Sequence, residues 1–573
     1  MIDRRVCVAL AVLLWSEAGR AQDGEFPIGA WFPGLFHAHS ADWGDRLDLV
    51  VADHFNTIHA SDTGRPGMSG QPAADNNDWM LLAVARDLNI QLHSVWQPPQ
   101  WKNHSRHYWA RTFQAEDGAL FTHPIGERVT ETDGRVAWYA DAGRHTPGLL
   151  LDTPSTSGSG FELRSNVRAQ TEGRHLDERH TRHVFWLKTD NTTGADILAT
   201  LRVLRHSDGT VLNSSIVRPF RFAAANVYQG FAVRYDIPRG DERVRYQVDW
   251  TGAGDLWVDL VRASDFRGMQ LFRGDYNMDI VAALEAYDGT IAPVPWRFYA
   301  YDEPRWDTPE CVGYMNDLIK DEHGRQSGAA AVNQTDLGYL RRYIREVQPS
   351  ELLVDYYAYS PAPRTDRTSR ELRWIRQGFG NALTASREAG IPWWACVQAF
   401  GNHNHGGGFR VPTAPEIAVQ VNLALAHGAR GIYYFMMSSH TDPNTATEQE
   451  GLYSGTWGTT TNSNAVRALN HKLRALAPTY LALTSNHVFA DNALADFVQG
   501  ISATTGGTDD YFLGTFTHTD GSRYLMVVNE DLTTTPDRRL TVTLNATRLP
   551  GSGPYRLLDV YRNTPISAGG RNP

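Results

Sequence analysis

Two adjacent acids, Asp302 and Glu303, follow the apolar run Trp296–Tyr301 and are pinned by Pro304 in the stretch WRFYAYDEP. Cleaving an acetal needs a proton donor for the leaving oxygen and a second charge that steadies an oxocarbenium-like state. A neighbouring carboxylate and a tyrosine-lined pocket would keep Glu303 protonated near neutral pH, because paired acids separate their pKa values. Glu303 is therefore the candidate general acid/base. The plainer alternative is that Asp302 and Glu303 cap the following loop or pair with Arg305. Several sources stay open for the second carboxylate: Asp302 itself, Asp355 in LLVDYYAY, the loop acids Glu448 and Glu450, or a group on the substrate. Asp355 leads outside the pair because it lies within a strand near its carboxyl end. A buried aspartate bonded to backbone or to an arginine accounts for it equally well.

Trp31, His59, Trp96, Gln97, Tyr357, Gln398, Asn402 and Tyr434 stand at or just past the carboxyl ends of apolar runs and are the candidate substrate-binding residues. The indoles of Trp31 and Trp96, with Trp101 and Trp457, suit the C–H face of a pyranose, and each suits a core equally. His37 and His39 near the first strand are weaker partners for His59. The tract Asn402–Gly408 (NHNHGGG) carries imidazoles that can bind zinc. His403 and His405 lack an evident third ligand, so the tract reads as a sugar-contacting loop and no metal is expected. Glu416 follows Thr413 by three, the capping-box spacing, and reads as structural. No Ser-His-Asp spacing, phosphate-binding loop or dinucleotide fingerprint stands in its required strand-to-helix context, and no cofactor is expected.

Positioning these groups requires a regular scaffold. Strands are expected at 26–33, 56–61 and 90–97, with helices at 45–55 and about 77–89 between them. The rhythm resumes with a helix near 279–287 and strands at 296–301, 352–359, 392–400 and 431–437, alternating with helices at 336–347, 371–389, 415–427 and 464–483. These seven strands, with an eighth placed near 269–272, imply an α/β fold built on a (β/α)8 TIM-like barrel, whose reactive groups sit at the carboxyl ends of strands. Between 105 and 266 the pattern changes to closely spaced short strands (182–188, 197–204, 231–235, 243–250, 256–261) separated by turn residues, which predicts an inserted β-sandwich. A further small β-sandwich is expected from 485 to 573, with strands at 511–517, 524–529, 540–544 and 555–561. The expected divisions are 1–21, 22–104 (barrel, first part), 105–266, 267–484 (barrel, second part) and 485–573.

On the acid that follows a middle strand, the chain resembles the TIM-barrel glycoside hydrolase superfamily. YAYDEP is similar to the Asp-Glu pair of β-N-acetylhexosaminidase-type barrels. That resemblance implies Glu303 as general acid and Asp302 as the group that orients a substrate acetamido nucleophile. Residues 410–435 (RVPTAPEIAVQVNLALAHGARGIYYF) resemble the segment before the final strands of such barrels. The likeness covers the barrel segments and implies no particular sugar. It departs from the commonest two-glutamate pattern at Gln398, which stands where a nucleophile is expected on a late strand. Glutamine cannot attack an anomeric carbon, though it can hold a sugar hydroxyl.

Composition narrows the partners. Among 573 residues, 54 Lys and Arg face 64 Asp and Glu, a formal charge of −10 that argues against nucleic acid. The 42% hydrophobic and 21% charged residues match an ordinary folded domain. Arg4 and Arg5, an apolar run from Val6 to Trp15, and small residues at Gly19 and Ala21 follow the signal-peptide pattern. Cleavage after Ala21 and a secreted or periplasmic protein are expected. The run is about half the length a membrane span needs. Cys7 would leave with the peptide, so Cys311 and Cys396 form no disulfide framework. The rival readings are a polysaccharide lyase, disfavoured by the absence of a basic cluster, and a non-catalytic carbohydrate-binding protein on a decayed barrel, which Gln398 keeps open. Oligomeric state is not legible.

Overall fold

The computed structural model describes residues 25–31, 43–60, 82–83, 85–93, 110–114, 128–131, 136–138, 149–151, 161–164, 180–205, 208–236, 244–251 and 253–264 in the first half of the chain. In the second half it describes 296–299, 304, 309, 312–314, 316–317, 327–328, 331–333, 335–360, 367–402, 408–442, 447–490, 493–503, 511–518, 520–530, 540–551, 557–559 and 564–566. Two compact units divide the chain. The first comprises Met1–Trp96, Ala282–Pro304 and Ile319–Pro573, and the second Gln97–Val281 and Arg305–Leu318.

The first unit is built on one parallel sheet. Its strands are β1 (Ile28–Trp31), β2 (Thr57–Ala60), β3 (Asn89–His93), β4 (Trp296–Tyr299), β5 (Ser327–Gly328), β6 (Ala331–Val332), β7 (Leu352–Tyr356), β8 (Trp393–Gln398) and β9 (Ile432–Phe435). Their spatial order is β5-β4-β3-β2-β1-β9-β8-β7-β6, and every pairing is parallel. Gly29 of β1 lies opposite Thr57 of β2 on one side and Tyr433 of β9 on the other, so the first and last strands are neighbours. Strands covered on both faces read as nearly continuous apolar runs, which is the character of IGAW, LLVDY, WWACVQ and IYYF.

Between β4 and β7 in the chain, the stretch SGAAAV supplies β5 and β6, the two edge strands of the sheet, which the sequence reading passed over. Ser, Gly and Ala supply neither β-branched bulk nor an apolar run, so nothing in that stretch announces a strand. Residues 269–272, where an eighth strand was expected, lie outside the described residues, as do the helix at 279–287 and most of that at 77–89.

Helices α1 (Trp43–Ala52), α2 (Leu337–Val347), α3 (Arg367–Ala389), α4 (Ala414–Ala426) and α5 (Thr461–Tyr480) alternate with these strands. Capping chemistry fixes several of their ends. Asp336 accepts a bond from Tyr339 N at 3.0 Å to start α2, and Gln348 closes that helix in the left-handed region at φ 48°. Thr413 and Glu416 form the capping box the spacing predicts at the start of α4, with Glu416 Oε2 accepting from Thr413 N at 2.7 Å. Helix α4 is apolar nearly all round because it packs on β8 and also on the C-terminal strands Tyr511–Thr517 and Arg523–Asn529. Gly514 permits that approach, since a Cβ there would lie 2.3 Å from Ala426 O.

After α5 the structure is antiparallel. Thr484–Ala490, Tyr511–Thr517 and Arg523–Asn529 form a three-stranded sheet, and Val498–Ala503 pairs with Leu540–Leu544. Both sheets contribute to one core around Phe489, Leu513, Val527 and Val542. The second unit contains two further antiparallel sheets. One runs Val211–Val217, Ala199–Arg205, Val244–Trp250, Phe161–Arg164, Arg128–Glu131; the other runs Gln229–Asp236, His180–Thr189, Leu256–Ser264, Leu149–Leu151, Val136–Trp138, with Ala110–Gln114 also on Leu256–Ser264. Phe185, Leu201, Tyr246, Trp250 and Val258 share their common core.

Candidate functional site

In a parallel sheet, register partners share a face and alternate residues switch faces. Asp355, Cys396, Tyr433, Gly29 and Thr57 form one row across β7, β8, β9, β1 and β2. Two residues further on, towards the carboxyl ends, Gln398 pairs with Phe435 and Trp31 pairs with His59. Tyr434 falls on the opposite face. It is fully buried, its hydroxyl donates to Asn470 Oδ1 on α5 at 2.9 Å, and burial pushes its phenol well up. The expectation that Tyr434 touches substrate is thus corrected by parity: Tyr433 and Phe435 lie on the face with the other candidates, and Tyr434 fastens a helix.

The carboxyl-end row is strongly aromatic. Trp31 stacks on His59 with centroids 4.1 Å apart and rings inclined 19°, and meets Phe435 edge-on at 5.6 Å. Tyr357 lies 5.1 Å from Phe400, 5.7 Å from Phe409 and 5.6 Å from Phe435. Below them Tyr433 stacks on Trp394 at 5.7 Å, over Gly29, where a Cβ would lie 2.5 Å from the tyrosine ring. Trp31 and Tyr357 are partly exposed, whereas His59 is buried. Asp355 stands one row deeper than Gln398, only 3% exposed, and the Tyr357 hydroxyl lies 3.8 Å from the sulfur of its row-mate Cys396. Phe400, Phe409, Phe435 and Tyr433 were missed in the sequence, where any of its many aromatics could equally have been core.

Gln398 and Asn402 have structural employment. Gln398 is fully buried, its Nε2 donating to the carbonyls of Tyr359 (3.2 Å), Phe400 (3.3 Å) and Arg410 (2.9 Å), while its Oε1 accepts from Tyr359 N (2.9 Å). Its backbone exchanges two 3.0 Å bonds with the amide of Gln420 on α4. Both N–H groups of this amide are spent inside the fold and the side chain is fully buried, which corrects the expectation of a sugar contact. Asn402 closes a loop, with its N donating to Phe409 O at 2.8 Å and its Oδ1 accepting from Phe409 N at 2.5 Å. The loop residues 403–407, including His403 and His405, lie outside the described residues.

Arg410 ties this loop to α4. It donates to both oxygens of Glu416 at 2.7 and 2.6 Å, reaches Glu371 at 3.4 Å and stands 4.7 Å over the Tyr359 ring. Burial pushes the Glu416 carboxyl up, but the bonds from Arg410 and Thr413 outweigh it and hold the group below its ordinary value.

The segment after β9 is different. Ser438 and Tyr453 form a parallel bridge, 1% and 0% exposed, and neither side-chain oxygen has a hydrogen-bond partner among the described residues. A buried hydroxyl left unbonded costs about 1–3 kcal/mol. Trp457 stacks on Tyr453 at 5.8 Å and carries the Arg46 guanidinium 5.0 Å from its centroid, with its backbone in the left-handed region at φ 63°.

Asp302, Glu303, Trp96, Gln97, Trp101, His37, His39 and Cys311 lie outside the described residues, as do the side chain of Glu448 and residues 1–24. Pro304 is described: it is buried, and its carbonyl accepts a bond from the Tyr339 hydroxyl on α2. Among the described residues no cluster of three or more His, Cys, Asp or Glu could hold a metal, and no helix is long and apolar enough to cross a membrane.

No family model and no curated protein sequence matches the chain. Solved structures give distant likenesses. A β-galactosidase from the psychrophilic Marinomonas ef1 is 10% identical over 79% of this chain and 60% of its own, at a TM-score of 0.33. The β-galactosidase of the Antarctic haloarchaeon Halorubrum lacusprofundi is 11% identical over 81% and 60%, at 0.34. A carbohydrate-binding module of Cellvibrio mixtus lichenase 5A, in complex with cellotriose, is 11% identical over 26% of this chain and 94% of its own, at 0.17. The chain therefore spans about 60% of the length of the two enzymes.

Proposed function

We propose that the chain is a glycoside hydrolase whose parallel sheet closes into an eight-stranded barrel, with β5 and β6 as two halves of one strand. Support for closure comes from the strand order, which follows the chain and returns through the β1–β9 pairing, and from the short separation of β5 and β6, residues 328 and 331. The second unit would then be the inserted β-sandwich and the segment after residue 484 a second one. Export with cleavage after Ala21 belongs to the same proposal.

The observation that carries this reading is the aromatic row at the carboxyl ends of β1, β7, β8 and β9, in the sheet whose β4 leads directly into Asp302-Glu303-Pro304. Aromatic faces bind the C–H side of a sugar, and Pro304, held by Tyr339, anchors the chain immediately after the acids. In this mechanism Glu303 protonates the glycosidic oxygen, and Asp302 or Asp355 supplies the second charge. A carbohydrate-binding protein without catalysis is the second reading, favoured by the 3% exposure of Asp355.

The test is a screen of residues 22–573 against aryl glycosides and polysaccharides beside Glu303→Gln. A loss of about 100-fold or more in kcat/KM, with glycan binding retained, is expected. A loss below about tenfold would remove Glu303 from the chemistry. Binding without a new reducing end in the wild type would favour the second reading.

A further inference from the structure

We propose that the second unit binds a uronate-bearing polysaccharide on the outer face of the sheet that runs Gln229–Asp236, His180–Thr189, Leu256–Ser264; this rests on the carbohydrate reading above and adds a second glycan site to it. Strand alternation decides which residues reach that face. Phe185 and Leu187, Phe231 and Val233, and Leu256 and Val258 belong to the core between the two sheets. Their neighbours Val184, Trp186, Lys188, Gly230, Arg234 and Trp257 therefore point outwards.

Three rings lie on this face. The Lys188 ammonium stands 4.6 Å from the ring centroid of Trp257, its register partner, and 5.0 Å from that of Tyr228, which precedes the neighbouring strand. A cation held between two rings fixes the position of both. Two residues along the strand, Trp186 lies opposite Gly230, and a Cβ on that glycine would stand 3.5 Å from Cε2 and Cζ2 of the indole. The indole thus reaches across to the next strand, over a residue that has no side chain. Trp186, Tyr228 and Trp257 are partly exposed and Gly230 and Arg234 are exposed, so a ligand in solution can touch them. The two aromatic rows are about 7 Å apart and Arg234 is about 13 Å beyond Gly230 along its strand, an elongated platform that suits a chain of sugars. Aromatic faces take the C–H side of a pyranose.

Charge selects the class of chain. Beside Lys188 and Arg234, the register continues to Arg182, opposite Arg234, and to Arg262, opposite Val184. No acid occurs in residues 182–188 or 228–234. On the third strand, Asp259 is the extra residue of a bulge and has no register partner. The outer face of the other sheet is unlike this one. There Arg202 pairs with Asp249 at 2.7 Å, and Asp249 also accepts a bond from Gln247, so opposite charges are matched within the fold. A face that combines aromatic rings with an excess of basic residues complements a polymer whose rings carry carboxylates.

Calorimetry and affinity electrophoresis on residues 22–573 test the assignment with polygalacturonate and alginate. Neutral galactan and xylan are the comparison, together with polyglutamate, a polyanion without sugar rings. Wild type is expected to bind at least one uronate polymer about tenfold more tightly than the neutral polymers and polyglutamate. Trp186→Ala and Trp257→Ala should each raise that Kd about tenfold. Arg234→Gln, at an exposed position, should raise it about fivefold. Unchanged Kd in the two tryptophan variants overturns the face, and where either loses its fold, unchanged Kd in Arg234→Gln does so. Equal retention of neutral and uronate polymers overturns the acidic assignment, and polyglutamate bound as tightly as the uronates overturns stacking on the rings. Wild type that cleaves a glycoside in the screen above yet binds neither uronate polymer overturns this face alone. Uronate binding without cleavage of any glycoside overturns the hydrolase reading and keeps the face.

Discussion

The segments that follow β8 and β9 stand side by side at the same end of the same sheet, yet they treat polar groups oppositely. After β8, the amide of Gln398 bonds to four backbone groups and Arg410 spans Glu416, Glu371 and the Tyr359 ring. After β9, the hydroxyls of Ser438 and Tyr453 are buried and have no hydrogen-bond partner among the described residues. Polarity at a strand's carboxyl end is therefore no sufficient mark of a ligand contact. What separates the two cases is whether the fold has already consumed the hydrogen-bonding capacity.

That contrast breaks first at Gln398. Gln398→Leu should cost roughly 3–5 kcal/mol in urea unfolding, because it strands Tyr359 N and three carbonyls away from water. A cost under about 1 kcal/mol would mean the amide is not a structural hub.

Arg410→Met comes next, at roughly 2 kcal/mol or more near neutral pH, because it leaves Glu416 buried beside Glu371. Its pH dependence has a definite sign. The folded carboxyl of Glu416 lies below its ordinary 4.5, so the pairing stabilises the fold above that pH and is lost as pH falls through the folded value. Wild type and variant should therefore converge in urea midpoint below pH 4.5, and a gap that widens there would reverse the assignment. Tyr453→Phe should cost nothing and stabilise by up to about 1–3 kcal/mol, because it removes a buried hydroxyl that has no partner among the described residues. A cost near that of Gln398→Leu would erase the difference between the two segments.

The sequence reading located β1, β7, β8 and β9 because double-sided burial writes itself as an apolar run. It lost β5 and β6 because Ser, Gly and Ala carry no such signal. Trp31, His59 and Asp355 are register members of one face towards the carboxyl ends of their strands, and Tyr357 follows β7. Tyr434 was chosen over Tyr433 and Phe435 because IYYF gives no phase, and one residue of shift exchanges the helix side for the site side. Gln398 was legible as an inward polar residue, but its four backbone partners come from segments that only the folded chain brings together. The roles of Glu416 and Thr413 were readable because a capping box is purely local.

The pairing of Ile28 with Ile432 has a consequence for biosynthesis. A ribosome has to release almost the whole scaffold before β1 can meet its second neighbour, so the sheet's seam is the last thing translation makes available. The second unit, whose strands all pair among themselves between residues 110 and 264, faces no such wait. The segment that interrupts the scaffold in sequence is thereby equipped to fold before the scaffold it interrupts.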